Sequence, residues 1–574
     1  MPSNQLTGAG VMARVLQRFG VTSVFSLAGA SQTHLLDACD KARMRIVPGR
    51  HETATVGAAD GYSRVTGKVG IACINVDQGM PNAITGLHTA FEACSPVVVL
   101  IGREEDSWTE PELGHDHDVL AMVRPVTKWA RTVHSPARLG EYLEAACRRA
   151  LQGRPGPVAL AFAKDYLPKP VDAAVDLDSA YPGVPRPAPA ADDIARAVDL
   201  MGASTRPMVI AGSGAFRSGA GAALQALASR YGIPVLTHNL ARGLVPEDHV
   251  TGFGWPVAQP AAPEADLVIW AGGRMAKKFG HGLAPRFPAG QKTIQIDIEA
   301  EEIGRNRMVD VGIAADCRLT LDALTAAMGA AKIAPFPSWI AGALAAHLSA
   351  IDAAGRGHGA GPGGTIHPYR LARDINARLP KDAIFVQDGA MILTRAWAVM
   401  RFNAPGGYMD TMPLGSMGMG TPLALGAVAG AKDLAAATGS PERRVVLLTG
   451  DGSFGFYPSE IGSAAQADLP FVTVIANNGG WGNEIHTQRR MVGRLINANF
   501  GDVRYDKIAE GYGAAGFRVE SLDELGPTLD RALAVTGRPA VVDVRVDDTE
   551  PFDRAQSTIV YHDIEGTRTK HFQV

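Results

Sequence analysis

Short apolar runs recur along the chain, separated by longer stretches whose apolar positions return every three or four residues. Runs at 23–27, 44–47, 96–101, 207–210, 266–270, 292–297, 444–449 and 471–476 are rich in Val, Ile and Leu. Several are bounded by Gly, Pro, Asp or Asn. Near-continuous apolar runs of this length read as strands buried on both faces. Stretches 7–19, 53–65 and 421–431 carry helical spacing. Strand alternating with helix predicts βαβ units and parallel sheets.

Two composition breaks divide this pattern. Residues 182–190 are proline-rich and 353–364 are rich in Gly and Ala, as linkers are. The expectation is an α/β protein of three doubly wound parallel-sheet domains, 1–180, 190–345 and 365–545, with a polar tail at 546–574. At 574 residues the chain is too long for one core. Its 46% hydrophobic and 20% charged residues suit a globular protein, and a net charge of −3 gives no electrostatic case for nucleic acid or anionic membrane. The first residues lack a basic patch followed by an apolar run, and no run approaches bilayer length, so a cytoplasmic location is expected. Five scattered cysteines without CxxC spacing read as reduced, buried thiols.

The chemistry concentrates where strands end. Gly450-Asp451-Gly452 closes the run at 444–449, and Asn477-Asn478 closes the next, followed by Gly479-Gly480. Asp-Gly and Asn-Gly are ordinary turn dipeptides taken singly. Both at this spacing place a carboxylate and an amide oxygen on one sheet edge beside a helix start. That is a seat for Mg²⁺ and the diphosphate it neutralises, with Asp451, Asn478 and the Gly480 carbonyl as ligands. The spacing resembles the thiamine-diphosphate motif. Such a cofactor needs a carboxylate from elsewhere to promote its imino tautomer, and Glu52, opening the helix at 53–65 after His51, is the candidate. An apolar pocket raising its pKa would suit that role. Leu414-Gly415-Ser416-Met417-Gly418 offers a glycine for close approach of a backbone carbonyl and an unbranched apolar wedge.

His51-Glu52, Gly415 with Met417, and the paired strand-end motifs together resemble the acetolactate-synthase-like superfamily of thiamine-diphosphate enzymes. Gln295-Ile296-Asp297, Glu302-Ile303-Gly304 and Ala315-Asp316 are similar to its central domain, and Arg124-Pro125-Val126-Thr127-Lys128 to the end of its first. Within it, Thr127-Lys128-Trp129-Ala130, Phe279-Gly280-His281-Gly282 and the segment from Asn478 to His486 resemble benzaldehyde lyase. Glu301-Glu302-Ile303-Gly304-Arg305-Asn306 resembles the 2-hydroxyacyl-CoA lyases. The resemblance implies a pyrimidine-binding first domain, a nucleotide-fold-like central domain and a diphosphate-binding third. It makes Glu52 the cofactor's activator. Gly389 and Gly415 would contact the aminopyrimidine, and Met417 would buttress the bent cofactor. Gly450, Gly452 and Ser453 would lie against the diphosphate, with Gly79 and Asn82 on a loop near the neighbouring subunit's cofactor. It implies a homodimer or homotetramer with active sites at the subunit interface, acting on small molecules. ADP, CoA or FAD in the central domain is a further expectation, although Gly212-Ser-Gly214 alone is a weak nucleotide signal.

Departures bear on substrate. Acetolactate synthases carry Phe-Gln-Glu where this chain reads Gly114-His115-Asp116, and His115 could move a proton near neutral pH. Glu484 could be a second acid or base, or a solvated residue starting a helix. The tail's Arg554, Arg568, Lys570 and His571 could form a lid or simply fray. The expected activity is a non-oxidative carbon–carbon lyase or carboligase acting on 2-hydroxy ketones, 2-hydroxyacyl thioesters or 2-keto acids. Acetolactate synthase is the alternative. An inactive cofactor-binding scaffold or regulatory subunit is the reading from another class.

Overall fold

The computed structural model describes residues 6–75, 78–108, 118–172, 175–254, 259–342, 344–345, 349 and 365–547. His115, the linker at 353–364 and the tail beyond 547 therefore lie outside the described residues.

Three six-stranded parallel sheets follow one another along the chain. The first holds β1 (Ser23–Ser26), β2 (Arg45–Pro48), β3 (Gly70–Asn75), β4 (Val97–Arg103), β5 (Trp129–Thr132) and β6 (Val158–Ala163). The second holds β7 (Pro207–Ala211), β8 (Val235–Thr237), β9 (Gly252–Gly254), β10 (Leu267–Ala271), β11 (Lys292–Asp297) and β12 (Val311–Ala314). The third holds β13 (Ile384–Gln387), β14 (Tyr408–Asp410), β15 (Val445–Gly450), β16 (Val472–Asn477), β17 (Ala515–Val519) and β18 (Ala540–Arg545). Helices cover both faces, so interior strands such as β16 are buried at every residue.

Strand order separates the three sheets more sharply than their sequences do. The first runs β2-β1-β3-β4-β6-β5 and the third β14-β13-β15-β16-β18-β17, one order used twice. The middle sheet runs β9-β8-β7-β10-β11-β12, the doubly wound order of dinucleotide-binding folds. In each sheet the order reverses beside its first strand, between β1 and β3, β7 and β10, and β13 and β15, and the crevice beyond the strands' carboxyl ends at such a point is where these folds take ligands.

Local sequence explains the elements. Helix Gly8–Arg18 starts where the Thr7 hydroxyl accepts the amide of Gly10, buries Val11, Met12, Val15 and Leu16, and stops before Gly20 at φ +69°. Each such buried side chain contributes ~1.5–3 kcal/mol. Residues 182–190 run outside any helix or strand and are mostly exposed.

The first and third domains are joined by two helices in backbone contact. A Cβ on Gly61 of helix Glu52–Thr66 would lie 2.2 Å from the Leu423 carbonyl oxygen, and one on Gly426 of helix Gly420–Thr438 would lie 1.8 Å from that of Ala58. One apolar core accordingly runs through both domains, including Val56, Tyr62, Leu423 and Val428. Buried ion pairs sit at the domain junctions. The Arg64 guanidinium holds Asp60 and donates to the Asp410 carbonyl of the third domain, while Arg242 pairs with Glu247 and donates to the Met400 carbonyl.

Candidate active site

The third sheet's carboxyl edge is built by register. Gly450 of β15 pairs with Ala476 of β16, so Asp451 and Asn477 emerge side by side at the level where both strands end. Asp451 opens a short helix, Asp451–Phe454, and is 2% exposed. Burial pushes its carboxyl up to about 7, although the amides of Gly452, Gly479 and Gly480 pull the other way. The Gly480 amide donates to Asp451 Oδ2 at 3.0 Å. A dry carboxylate on a strand edge is a strong seat for a cation.

The two asparagines divide the work. Asn477 is spent on structure: its amide donates to Asp543 and the Val503 carbonyl, and its oxygen accepts the Gly479 amide and Arg545. Asn478 is half-buried, beside Gly482, whose Cβ would lie 3.2 Å from its amide nitrogen. That leaves Asn478, with Asp451 and the Gly480 backbone, on the loop where the metal was expected. Among the described residues, no group of three or more His, Cys, Asp or Glu is placed to hold a metal ion. One carboxylate with amide and backbone oxygens suits Mg²⁺, which completes its shell with phosphate and water.

The surroundings fit a diphosphate. Ser453 is buried, and its hydroxyl completes no hydrogen bond of normal geometry, although it opposes the burial that pushes the Asp388 carboxyl up to about 6. A Cβ on Gly452 would lie 2.5 Å from the Trp481 ring, so bare backbone meets that ring. Gly389, at φ +92°, follows β13 and would bring a Cβ to 3.0 Å from the Gly450 amide. Gly389 and Gly450 thus flank the point where strand order reverses, between β13 and β15. Gly415, at φ +75°, and Met417, 36% exposed, lie on the loop before helix Gly420–Thr438.

Glu52 is the first residue of its helix, capped by His51, whose Nδ1 accepts the Thr53 amide at 3.1 Å. Asn82 donates to Glu52 Oε2 at 3.1 Å, and a Cβ on Gly79 would lie 3.2 Å from Oε1. The three predicted residues Glu52, Gly79 and Asn82 therefore meet. Among the described residues of the single chain, Glu52 is half-buried and faces the exposed amide of Asn82. The third domain grips the same turn, with Glu460 accepting the Arg50 amide at 3.0 Å and Tyr457 packed 5.1 Å from the His51 ring. Glu484 lies exposed on the first turn of helix Gly482–Val492, in the solvated position weighed as its alternative.

In the middle domain, Gly212 and Gly214 serve close packing. The Gly214 amide donates to the Gly272 carbonyl at 2.8 Å, and a Cβ on Gly212 would lie 2.6 Å from Gly273 Cα. The following helix, Ser213–Arg217, has five residues, and its Arg217 turns to Ser95 and the Ser63 carbonyl of the first domain. Sequence reasoning missed His238. It is 7% exposed, and neither ring nitrogen has a hydrogen bond of normal geometry. It faces Gly212 and Gly273 where this sheet's order reverses, and burial pushes its pKa well down. Asp388 was also missed, because Asp388-Gly389 after a strand reads as one more turn.

Family models for the thiamine pyrophosphate enzyme N-terminal TPP binding domain, central domain and C-terminal TPP binding domain match residues 6–122, 194–324 and 390–544. A probable acetolactate synthase of Mycobacterium bovis is 31% identical, covering 96% of this chain and 98% of its own. An acetolactate synthase large subunit of Corynebacterium glutamicum is 29% identical over 94% of this chain and 86% of its own. A solved Rhodococcus jostii thiamine diphosphate-dependent 4-hydroxybenzoylformate decarboxylase superposes with a TM-score of 0.78 at 23% identity, covering 95% of this chain and 100% of that one. That last likeness bears on fold alone. The lyase emphasis drawn from short motifs gives way to the acetolactate-synthase alternative, since these relatives align nearly end to end. With all three domain models matched in order along the chain, the protein belongs to the family of thiamine pyrophosphate enzymes.

Proposed function

We propose that the chain is a carboligase of the acetolactate-synthase type, which decarboxylates a 2-keto acid and joins the remaining acyl unit to a second carbonyl compound. The observation carrying this reading is the end-to-end likeness to acetolactate synthases in a chain that keeps Glu52, Asp451 and Asn478. Thiamine diphosphate, when bound, supplies a nucleophilic carbon able to hold the electrons released as carbon dioxide leaves. The chain's own groups do the rest. Asp451, Asn478 and the Gly480 carbonyl would hold Mg²⁺, and Gly450, Gly452 and the Ser453 hydroxyl would receive the diphosphate. Gly389, Gly415 and Met417 would shape the ring seat, and Glu52, which accepts from Asn82, would be the group that takes up and returns a proton there. His115, outside the described residues, remains a proposed proton carrier for substrate, and Glu484 a weaker one. The limits 1–180, 190–345 and 365–545 are our proposed domain division.

Two finer parts belong to the same proposal. The enzyme is a cytoplasmic homodimer or homotetramer in which Glu52 of one subunit completes the site of another; its half-exposure in the single chain supports this. The middle domain takes an ADP-containing nucleotide, FAD included, supported by its strand order and by the unsatisfied imidazole of His238 at the switch point. Incubation with pyruvate, Mg²⁺ and thiamine diphosphate should release carbon dioxide and yield acetolactate. Carbon dioxide without a ligated product, or no turnover of any 2-keto acid, would overturn the carboligase reading.

A further inference from the structure

Asp388 closes β13 and is 1% exposed. Its Oδ1 accepts the amide of Gly389 at 2.6 Å. Its Oδ2 accepts the amides of Gly418 and Gly420, each at 2.9 Å. One carboxylate therefore ties the strand end carrying Gly389 to the loop carrying Gly415 and Met417. The loop is shaped for this contact. Gly418 sits at φ +90°, where a side chain is strained, and a Cβ on Gly420 would lie 2.5 Å from Asp388 Cβ. Leu447 Cδ1 would lie 2.8 Å from that same Cβ, so Gly420 is closely packed on its β15 side as well.

We propose that Asp388 is a positioning residue that locks the Met417 loop to the Gly389 strand end and so sets the shape of the seat for the cofactor's rings. This rests on the thiamine-diphosphate reading above. The chemistry requires a carboxylate. Both oxygens must accept backbone amides, whereas asparagine offers one oxygen and an amide group that faces those donors with a donor of its own. Asp388→Asn keeps the volume and breaks one side of the clamp.

The test uses the full-length protein with Mg²⁺ and follows thiamine-diphosphate binding by tryptophan fluorescence, since Trp481 packs on the Gly452 turn. Loss of a hydrogen bond to a charged, buried acceptor corresponds to about a 10- to 100-fold change. Asp388→Asn should weaken cofactor affinity by that factor and lower kcat even at saturating cofactor. Asp388→Glu, which keeps two acceptors, should recover part of both. Should the Asn variant fail to fold, Gly418→Ala loads the loop side of the clamp, through its φ of +90° and a Cβ 2.5 Å from that of Phe456, without touching the carboxylate, and should produce the same loss of affinity. Wild-type affinity and kcat in Asp388→Asn, or in Gly418→Ala if that variant is needed, would overturn the proposal while leaving the cofactor assignment standing. Failure of the wild-type protein to bind thiamine diphosphate would overturn both.

Discussion

At the residue scale the site depends on carboxylates whose surroundings differ. Glu52 is half-buried against Asn82, whereas Asp451 is enclosed and has its carboxyl raised to about 7 by burial. Glu52→Gln keeps the shape and one acceptor oxygen but removes the proton exchange, a contribution of roughly 10²–10⁴ in rate. Turnover should fall by that factor while cofactor affinity stays within a few-fold of wild type, measured on the same preparation by steady-state kinetics and titration. Asp451 gives a pH signature of definite sign. Without ligands its folded pKa lies above the unfolded value of 3.8, so its contribution to stability is present at low pH and fades as pH rises through about 7. Binding a cation needs the ionised carboxylate and reverses that trend. The gain in Tm on adding Mg²⁺ and thiamine diphosphate should therefore grow from pH ~6 to pH ~8. Asp451→Asn should abolish the pH-dependent part of that gain, and a gain that is flat with pH in the wild type would refute the cation role.

At the element scale, the two helices joining the first and third domains leave no room for a side chain at their crossing. Gly61 and Gly426 each face a main-chain oxygen of the opposite helix. Main chain cannot swing aside as a flexible side chain does, so an added methyl must part the helices. Gly426→Ala should cost about 1–3 kcal/mol or more, read as a lower Tm in thermal unfolding. Because the same helices carry Glu52 at one start and follow the Met417 loop at the other, this variant should also weaken cofactor binding. Gly439→Ala, at the end of helix Gly420–Thr438 with nothing within 4 Å, should lose stability through its φ of +71° alone and leave cofactor binding unchanged.

At the scale of the whole molecule, three sheets divide the labour. The first and third share one strand order and carry the two halves of the proposed cofactor site; the middle sheet has the dinucleotide order. If Glu52 serves a neighbouring subunit's Asp451, two inactive variants should complement. In a dimer mixed at random from Glu52→Gln and Asp451→Ala chains, half the assemblies are hybrids and one of their two sites is intact. Recovery to about a quarter of wild-type activity follows from that symmetry. No recovery after co-expression or after unfolding and reassembly of the mixture would place Glu52 and Asp451 in one chain's site. Heat denaturation of the purified protein should likewise release an ADP-containing nucleotide, identified by chromatography and, for a flavin, by its visible absorption. A wild-type protein that releases none would remove the middle-domain part of the proposal.

The sequence by itself determined the fold class and the run of strands and offered the candidate metal-side residues, because those rest on local regularities. Apolar runs bounded by turn residues make buried parallel strands, and Asp451 and Asn478 follow directly from where two such runs stop. Glu52 was legible only once the strand-end motifs called for a second carboxylate. Only tertiary structure separates Asn477, held by Asp543 and Arg545, from Asn478 on the loop before Gly479, since both look alike until β18 supplies those partners. It decided strand order, on which the likeness of the first and third sheets rests. It also revealed Asp388 and His238, whose importance lies in partners far along the chain, or in having none of normal geometry. Periodicity records what a residue does to its own strand or helix; burial and register record what distant segments do to it, and the clamp and the crevice are made of those long-range contacts.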